Sequence, residues 1–259
     1  MDVFHTIVLA VIEGFTEFLP VSSTGHMIMA SHLMGMPQTE FLKTFEIAIQ
    51  LGAIAAVAGL YWRTFLLDWD IDAKILAAFV PTAIIGLLLY KIIKKTLLGN
   101  AWVVVWAWFI GGAFIILFER FYPMKNNIKD IKKISYPQAL MIGVCRALAV
   151  VPGVSRSAAT IIGGLILGVE RKIIVEFSFL LAVPTMLAAT VLDLIKTDAA
   201  LSLDEWGMLG LGFLVAFIVA WGTVKFFIHF VQKNNFTIFG VYRILAAIAA
   251  GFYLNSLLS

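Results

Sequence analysis

The chain reads Phe18-Leu-Pro-Val-Ser-Ser-Thr-Gly25 inside one apolar stretch, 3–36, and Val151-Pro-Gly-Val-Ser-Arg-Ser157 inside another, 137–169. Each interruption leaves two apolar halves that are too short to cross a bilayer, since a spanning helix needs about 20 mostly apolar residues. Irregular backbone at membrane depth is tolerated only inside protein or beside a water-filled cavity. We therefore predict that both stretches are re-entrant helical hairpins; two kinked full spans are the alternative.

The composition around these stretches is that of a membrane protein. Of the 259 residues, 61% are hydrophobic and 14% are charged, and the mean hydropathy is +0.98. Soluble domains are about 45–50% apolar and about 25% charged. An ordinary cytosolic enzyme, a nucleic-acid-binding protein and a disordered scaffold are excluded. The single cysteine, Cys145, excludes a disulfide framework and a multi-cysteine zinc site.

Six further stretches are long and apolar enough to cross a membrane. They are residues 45–62, 74–92, 101–121, 173–196, 206–231 and 238–257. The predicted fold is an all-α integral membrane protein, a single membrane domain over 1–259, with about six transmembrane helices plus two re-entrant helical hairpins.

The two hairpins resemble each other in sequence. A serine precedes a glycine by 13 residues in both, as Ser22 and Gly35 and as Ser155 and Gly168. A hairpin plus three spans then occurs twice, in 1–121 and in 137–258. Because three spans is an odd number, the second copy is expected to be upside down relative to the first. Inverted repeats place their site near the midplane, where the interrupted helices meet.

The distribution of basic residues predicts the orientation, because cytoplasmic loops are enriched in Lys and Arg. One face holds nine of them: Arg63, Arg120, Lys125, Lys129, Lys132, Lys133, Arg171, Lys172 and Lys233. The opposite face holds mainly Lys43, Lys91, Lys94, Lys95 and Lys196. The first face is predicted to be cytoplasmic, so that both termini and the mouth of the first hairpin face outward.

Two acidic residues precede the first interruption. Glu13 and Glu17 are four residues apart, which places both carboxylates on one face of a helix. Two close carboxylates repel unless one is protonated or a cation lies between them. A hard divalent cation, Mg²⁺ or Ca²⁺, accepts carboxylate oxygens and keeps water and phosphate oxygens as its other ligands. A protonated pair with a structural role is the alternative.

The first interruption combines hydroxyls with an imidazole. Pro20 ends the first helix, and Ser22, Ser23 or Thr24 can cap a second one. The N-terminus of a helix binds anions such as phosphate. His26 falls in the first turn of that helix, so that Ser23 or His26 could attack phosphorus, or Glu17 could activate a water molecule.

The second interruption carries a membrane arginine. Arg156 lies between Ser155 and Ser157, with Thr160 one turn later. A guanidinium group binds phosphate through two parallel hydrogen bonds, so these four residues are predicted to bind phosphate together with Ser22 and Thr24. A structural salt bridge from Arg156 to Glu13 or Glu17 is the alternative.

Other polar residues of the spans receive lesser roles. Glu46, Gln50 and Glu176 lie next to the hairpins and are predicted to line the same cavity. Arg243 is near a span end and is expected to extend towards the membrane surface.

At these residues the chain resembles a known family. The segment Glu13-Gly-Phe-Thr-Glu-Phe-Leu-Pro-Val-Ser-Ser-Thr-Gly-His26 and the segment Pro152-Gly-Val-Ser-Arg-Ser-Ala-Ala-Thr160 are similar to the two signature motifs of bacterial undecaprenyl pyrophosphate phosphatases of the bacitracin-resistance type. The resemblance extends over nearly the whole chain. Two departures are Ala158, where the motif usually has glycine, and Arg146, where it usually has glutamine.

The resemblance implies a hydrolase of the bacterial cytoplasmic membrane. It would release phosphate from a C55 polyprenyl diphosphate at a site open to the outer face, with a divalent cation. It implies that Glu13, Glu17, Ser23, His26 and Arg156 matter for activity. Membrane lipids and a second copy of the chain, in a homodimer, are the expected partners. A transporter or flippase of a phosphorylated polyprenyl lipid is the alternative function, since it could use the same inverted-repeat cavity. A channel is disfavoured because the hairpins are unequal.

Overall fold

The described part of the chain is built from α-helices. The structure is a computed structural model that describes residues 1–37, 39–92, 100–123, 127–195 and 202–256. These residues form α1 (Val3–Thr16), α2 (Ser23–Leu33), α3 (Glu40–Leu60), α4 (Trp62–Leu67), α5 (Trp69–Ile92), α6 (Ala101–Phe121), α7 (Tyr136–Ala147), α8 (Arg156–Ile166), α9 (Arg171–Ile195), α10 (Leu203–Lys233) and α11 (Thr237–Ser256). Short 3₁₀ helices occupy Ile131–Lys133 and Leu148–Val150. The predicted basic residues Lys94, Lys95, Lys125 and Lys196 lie outside the described residues.

Six of these helices confirm the six predicted spans. They are α3, α5, α6, α9, α10 and α11, each long and apolar enough to cross a membrane. Several begin earlier than the hydropathy pattern indicates, because a polar cap precedes the apolar residues. The Thr39 hydroxyl accepts a hydrogen bond from the Leu42 N–H, and Ser202 forms a reciprocal capping box with Glu205.

Large apolar side chains cover the outside of the bundle. Leu88 and Phe252 are each 75% exposed, and Leu245 is 61% exposed. Exposed apolar surface of this extent marks contact with lipid or another partner rather than with water. The exposed apolar surface and the six long helices together show a multi-pass membrane protein.

The first broken stretch folds as a hairpin that ends halfway across the bundle. The Thr6 hydroxyl contacts the sulfur of Met208 near the start of α10, at 3.3 Å. Gly14 packs against the middle of that 31-residue helix, where a Cβ on Gly14 would lie 2.7 Å from the carbonyl oxygen of Ala216. Because α1 ends there and α2 turns back against it, the hairpin interpretation is favoured over a kinked span.

The second broken stretch has the same arrangement on a different helix. The Tyr136 hydroxyl contacts Asp70 at the start of α5, at 3.5 Å, and the Thr82 hydroxyl donates to the Gly143 carbonyl oxygen at 2.9 Å. Helix α7 therefore runs along α5 as α1 runs along α10. In the predicted repeats α1 is equivalent to α7, and α5 is equivalent to α10. Each hairpin therefore packs against the second span of the other repeat, as two equivalent repeats would. The division into repeats and their inverted relation stay predictions.

The connection between the repeats is held against the face from which α7 begins. The Ile128 N–H donates to the Gly168 carbonyl oxygen, and the Glu170 N–H donates to the Ile128 carbonyl oxygen at 2.9 Å. Lys132 pairs with Asp68 at 2.5 Å. The hydrogen bond from Lys132 holds the pKa of the Asp68 carboxyl below its ordinary value. This polar layer stabilises the end of the bundle that carries most of the basic residues.

The tips of the two hairpins meet inside the bundle. The Leu19 carbonyl oxygen in the first break accepts hydrogen bonds from the hydroxyls of Ser157, at 2.8 Å, and Ser155, at 3.4 Å. Phe18 packs edge-on against Phe179 of α9, with ring centroids 5.3 Å apart. Polar side chains of both breaks are thereby brought together, although 136 residues separate Leu19 from Ser155.

Candidate active site

A cavity of about 140 Å³ lies between the two tips. The first hairpin contributes Glu17 and residues 22–24 to its wall, and the second hairpin contributes residues 149–156. Of the predicted site residues, the structure therefore brings together six on the cavity wall: Glu17, Ser22, Ser23, Thr24, Ser155 and Arg156.

Glu17 is the centre of this site. Its side chain is 2% exposed, and its Oε2 accepts hydrogen bonds from the Ser23 hydroxyl and from Nη2 of Arg156, the latter at 3.0 Å. The salt-bridge alternative for Arg156 is thus realised in this structure. The Arg156 side chain remains 27% exposed, so that a guanidinium group lies at the cavity wall next to a hydroxyl and its carboxylate acceptor.

The N-termini of α2 and α8 both border the cavity. The Ser155 hydroxyl caps α8 by accepting from the Ala158 N–H at 3.2 Å. Ser22 occupies the same position before α2 but makes no side-chain capping bond. Its φ of 71° is positive, which is unfavourable for a residue with a Cβ. The two helix ends present N–H groups and positive dipole ends to one space, an arrangement suited to an anion.

His26 does not contact the Ser23 hydroxyl in the arrangement expected for a base. Its Nδ1 lies 2.8 Å from the Ser22 carbonyl oxygen and its Nε2 lies 2.7 Å from the Tyr242 hydroxyl. A carbonyl oxygen can only accept, so Nδ1 carries the hydrogen and Nε2 accepts from Tyr242. The Ser23 hydroxyl instead donates to Glu17, and the choice of Ser23, His26 or water as the attacking group stays a prediction.

Glu13 lies on α1, one helical turn before Glu17, and is fully buried. Neither of its carboxylate oxygens has a hydrogen-bond partner among the described residues. Buried polar atoms are nearly always satisfied, so these oxygens fit a group that the protein alone does not supply. Oxygen donors from two carboxylates suit a hard divalent cation that retains water and phosphate ligands. Glu13 and Glu17 are the residues that would hold it.

Two predicted phosphate ligands lie away from the cavity wall. The Ser157 hydroxyl donates its hydrogen bond to the Leu19 carbonyl oxygen. The Thr160 hydroxyl donates to the Arg156 carbonyl oxygen at 2.8 Å and accepts from Nη1 of Arg146 at 3.2 Å. Both hydroxyls therefore support the second tip instead of facing the cavity. Arg146 is itself buried and reaches Thr185 of α9 at 2.9 Å.

The three predicted supporting residues do not line the cavity. Glu46 and Gln50 lie half-buried on α3, and Glu176 lies half-buried on α9, with its carboxylate 3.8 Å from Lys172. The sequence argument placed them near the hairpins along the chain. The structure shows that their side chains lie on neighbouring helices without reaching the space between the tips.

Two functional candidates on α11 were missed from the sequence. Tyr242 stacks beside His26 and donates to it. Arg243 is 2% exposed and does not reach the membrane surface, so its predicted position was wrong. The only sequence signal was an arginine next to a tyrosine inside an apolar helix, and membrane-depth arginines are functional candidates by default.

The chain is similar to one family model and to proteins named undecaprenyl-diphosphatase. Residues 6–249 match the family model described as bacitracin resistance protein BacA. The chain is 47% identical over 255 residues to an undecaprenyl-diphosphatase of Aquifex aeolicus, covering 98% of this chain and 100% of that protein. It is 48% identical over 256 residues to one of Wolinella succinogenes, covering 98% and 99%. It is 44% identical over 246 residues to one of Methanococcus aeolicus, covering 95% and 96%. The chain belongs to the bacitracin resistance protein BacA family.

Proposed function

We propose that this protein hydrolyses undecaprenyl diphosphate to undecaprenyl phosphate and inorganic phosphate, which recycles the lipid carrier for cell-wall synthesis and confers bacitracin resistance. The observation that carries the proposal is the contact of Ser23 and Arg156 with one oxygen of Glu17 at the cavity wall. Family membership and the names of the relatives support it. A carrier that only moves the lipid has no need of a hydroxyl bonded to a carboxylate.

In the proposed reaction Ser23 is the nucleophile. Its oxygen attacks the terminal phosphorus while its proton passes to Glu17, which already accepts the hydroxyl hydrogen. The bond from that phosphorus to the bridging oxygen breaks, and undecaprenyl phosphate leaves. Glu17 passes this proton to the departing undecaprenyl phosphate and is a carboxylate again. A water molecule then attacks the phosphoserine, and Glu17 takes the water proton and returns it to the Ser23 oxygen as phosphate leaves. One diphosphate and one water are thus converted into one monophosphate and one phosphate.

Arg156 links substrate binding to this chemistry. In the structure its Nη2 donates a hydrogen bond to Oε2 of Glu17, the same oxygen that accepts the Ser23 hydroxyl. A diphosphate entering the cavity competes for the same guanidinium group, which binds phosphate through two parallel hydrogen bonds. When Arg156 turns to the phosphate, Oε2 of Glu17 keeps only the hydrogen bond from the Ser23 hydroxyl, whose proton it accepts. The amide groups at the starts of α2 and α8 support the remaining phosphate oxygens.

A divalent cation, Mg²⁺ or Ca²⁺, is part of the proposal. Glu13 and Glu17 would hold it, because Glu13 offers two buried oxygens without partners among the described residues. When bound, such an ion neutralises charge that develops on the phosphate oxygens. Its charge would also remove the repulsion between two carboxylates one helical turn apart.

The proposed location is the bacterial cytoplasmic membrane, with the site open to the outer face. The excess of Lys and Arg on the face of the 127–135 connection supports this orientation. The polyprenyl chain would lie in the surrounding lipid, against the apolar surface of the bundle. A homodimer stays a prediction.

The direct test is phosphate release from undecaprenyl or farnesyl diphosphate by detergent-purified protein with added Mg²⁺. Wild-type protein is expected to release phosphate, and Ser23→Ala is expected to lose the activity. Ser31→Ala is the matched control, because it removes a hydroxyl from the same helix that bonds to the carbonyl oxygens of Met27 and Ile28. Absence of phosphate release by folded wild-type protein, together with transfer of the lipid across vesicles, would favour the flippase alternative.

A further inference from the structure

Arg243 binds both interrupted segments at once. Its Nη2 donates to the Gly153 carbonyl oxygen at 3.0 Å in the second break, and Nη1 lies 3.5 Å from the Pro20 carbonyl oxygen in the first break. Nη2 also donates to the Ala107 carbonyl oxygen of α6 at 2.8 Å. One buried side chain of α11 therefore joins the two hairpin tips to the pair of spans α6 and α11.

The partners of Arg243 are all main-chain carbonyl groups. In the part of the chain that the structure describes, no carboxylate lies within salt-bridge distance of Arg243. A buried guanidinium group without a carboxylate is costly. Broken helices leave carbonyl groups that need other partners at membrane depth. Arg243 satisfies such groups in both breaks, and in return its charge is hydrogen-bonded.

The bonded carbonyls occupy equivalent places before the reacting side chains. Pro20 precedes Ser23 by three residues, and Gly153 precedes Arg156 by three residues. Fixing these two carbonyls on one rigid guanidinium plane sets the distance between the segment that carries the hydroxyl and the segment that carries the phosphate-binding arginine.

We propose that Arg243 is a positioning residue that holds the two hairpin tips in register, so that Ser23 and Glu17 of the first stay aligned with Arg156 of the second. This inference rests on the proposed function of the site. Arg243 makes no hydrogen bond to Ser23 or to Arg156, and it acts through the backbone of the two breaks.

Gly111 of α6 provides the space for this guanidinium group. A Cβ at Gly111 would lie 2.3 Å from Nη2 of Arg243 and 2.8 Å from its Cζ. Gly111→Ala is therefore expected to displace the guanidinium group while leaving Arg243 in the chain. Gly251→Ala is the matched control on the same α6–α11 interface, because a Cβ there meets Val105 and Trp102 only at 3.8 and 3.9 Å.

The activity test compares Arg243→Lys and Gly111→Ala with wild type and Gly251→Ala in detergent. Lysine keeps the charge but cannot bond three carbonyls in one plane. Both test variants are expected to lower kcat by roughly tenfold to a hundredfold with little change in KM, as misplacement of a reacting group does. Unchanged kcat in both, or a loss of melting temperature with normal kcat in the folded fraction, would overturn the proposal.

A double-mutant cycle separates positioning from general stability. Arg243→Lys is expected to have a much smaller effect on kcat in the Arg156→Lys background than in wild type, because the contact that it aligns is already lost. Additive effects would show that the two arginines act independently and would contradict the inference.

Hydrogen exchange gives a readout that does not depend on turnover. Arg243→Lys is expected to speed amide exchange in both breaks, 18–23 and 151–156, and to leave the middle of α10 unchanged. Unchanged exchange in either break would overturn the proposal. If the wild-type protein releases no phosphate but Arg243→Lys still speeds exchange in both breaks, the positioning role of Arg243 is supported. That result would count against the proposed function alone.

Discussion

The Ser23 hydroxyl donates its hydrogen bond to Oε2 of Glu17, six residues earlier in the chain and across the break between α1 and α2. The carboxylate is therefore the hydrogen-bond acceptor of the hydroxyl, and His26 is bonded instead to the Ser22 carbonyl oxygen and the Tyr242 hydroxyl. His26 thereby stabilises the turn that precedes Ser23.

The first prediction concerns the covalent intermediate. Protein mixed with diphosphate carrying labelled terminal phosphate and quenched in acid within one turnover is expected to retain label, because phosphoserine survives acid. Ser23→Ala should retain none. Label that is lost in acid but kept in alkali would identify His26 as the nucleophile, and full activity of Ser23→Ala without label would identify attack by water.

The carboxylates are expected to have different roles. Glu17→Gln keeps the size of the side chain but removes the base, so kcat should fall by about a hundredfold or more. Glu13→Gln should instead raise the Mg²⁺ concentration needed for half-maximal activity, since it removes a charged ligand. Both are measured as phosphate release against Mg²⁺ concentration, with the melting temperature as control. Near-normal activity and Mg²⁺ dependence in both variants would contradict the carboxylate hypothesis.

Arg156 is predicted to stabilise charge on the phosphoryl oxygens during the reaction. Arg156→Lys and Arg156→Ala should both lower kcat and kcat/KM by roughly a hundredfold, the scale of one lost oxyanion donor. Arg156→Ala should also lower the melting temperature, because it leaves the buried Glu17 carboxylate without its cation. A double variant, Glu17→Gln with Arg156→Ala, should recover stability without activity. A fully active Arg156→Lys would exclude the two-point phosphate contact.

The backbone at Ser22 is predicted to store strain. Because φ is 71°, Ser22→Gly should be more stable than Ser22→Ala by about 1 kcal/mol, the cost of this conformation for a residue with a Cβ. Neither variant loses a side-chain cap, since Ser22 makes none. Thermal unfolding in detergent measures the difference. Equal melting temperatures for the two variants would show that the turn is not strained.

The orientation is tested by labelling single cysteines in a Cys145→Ala background. Asn127 and Ser202 are both exposed, and they lie at opposite ends of the bundle. An impermeant thiol reagent added to intact spheroplasts is expected to label Ser202→Cys and to leave Asn127→Cys unlabelled until the membrane is broken. The reverse pattern would invert the topology.

The arrangement of spans could be predicted from local sequence. Hydropathy alone identifies six helices, because lipid contact requires about 20 apolar residues wherever a helix crosses. Their ends were less predictable. Helix α5 begins at Trp69 and α10 at Leu203, ahead of the apolar windows, because acidic and capping residues belong to the helix without adding to its hydropathy.

Part of the site was also predictable, because it depends on short-range geometry. Glu13 and Glu17 share a helix face by their spacing, and the Pro20 break followed by hydroxyls specifies a new helix N-terminus. The cost of placing a charge at membrane depth marks Arg156 as a functional candidate. These arguments involve residues within one or two helical turns, where backbone geometry is fixed by the sequence itself.

What the sequence by itself determined is therefore the all-α membrane class, the six spans and the two broken segments with their phosphate-suited residues. Only the tertiary structure decided which side chains meet. Glu17 and Arg156 are 139 residues apart in the chain, and Arg243 contacts Pro20, which lies 223 residues earlier. The packing and rotation of the helices against each other decide whether the Thr160 hydroxyl faces the cavity or contacts Arg146. They also decide whether His26 contacts Ser23 or Tyr242. That packing is set by many small side-chain contacts across the whole bundle, and no local pattern contains it.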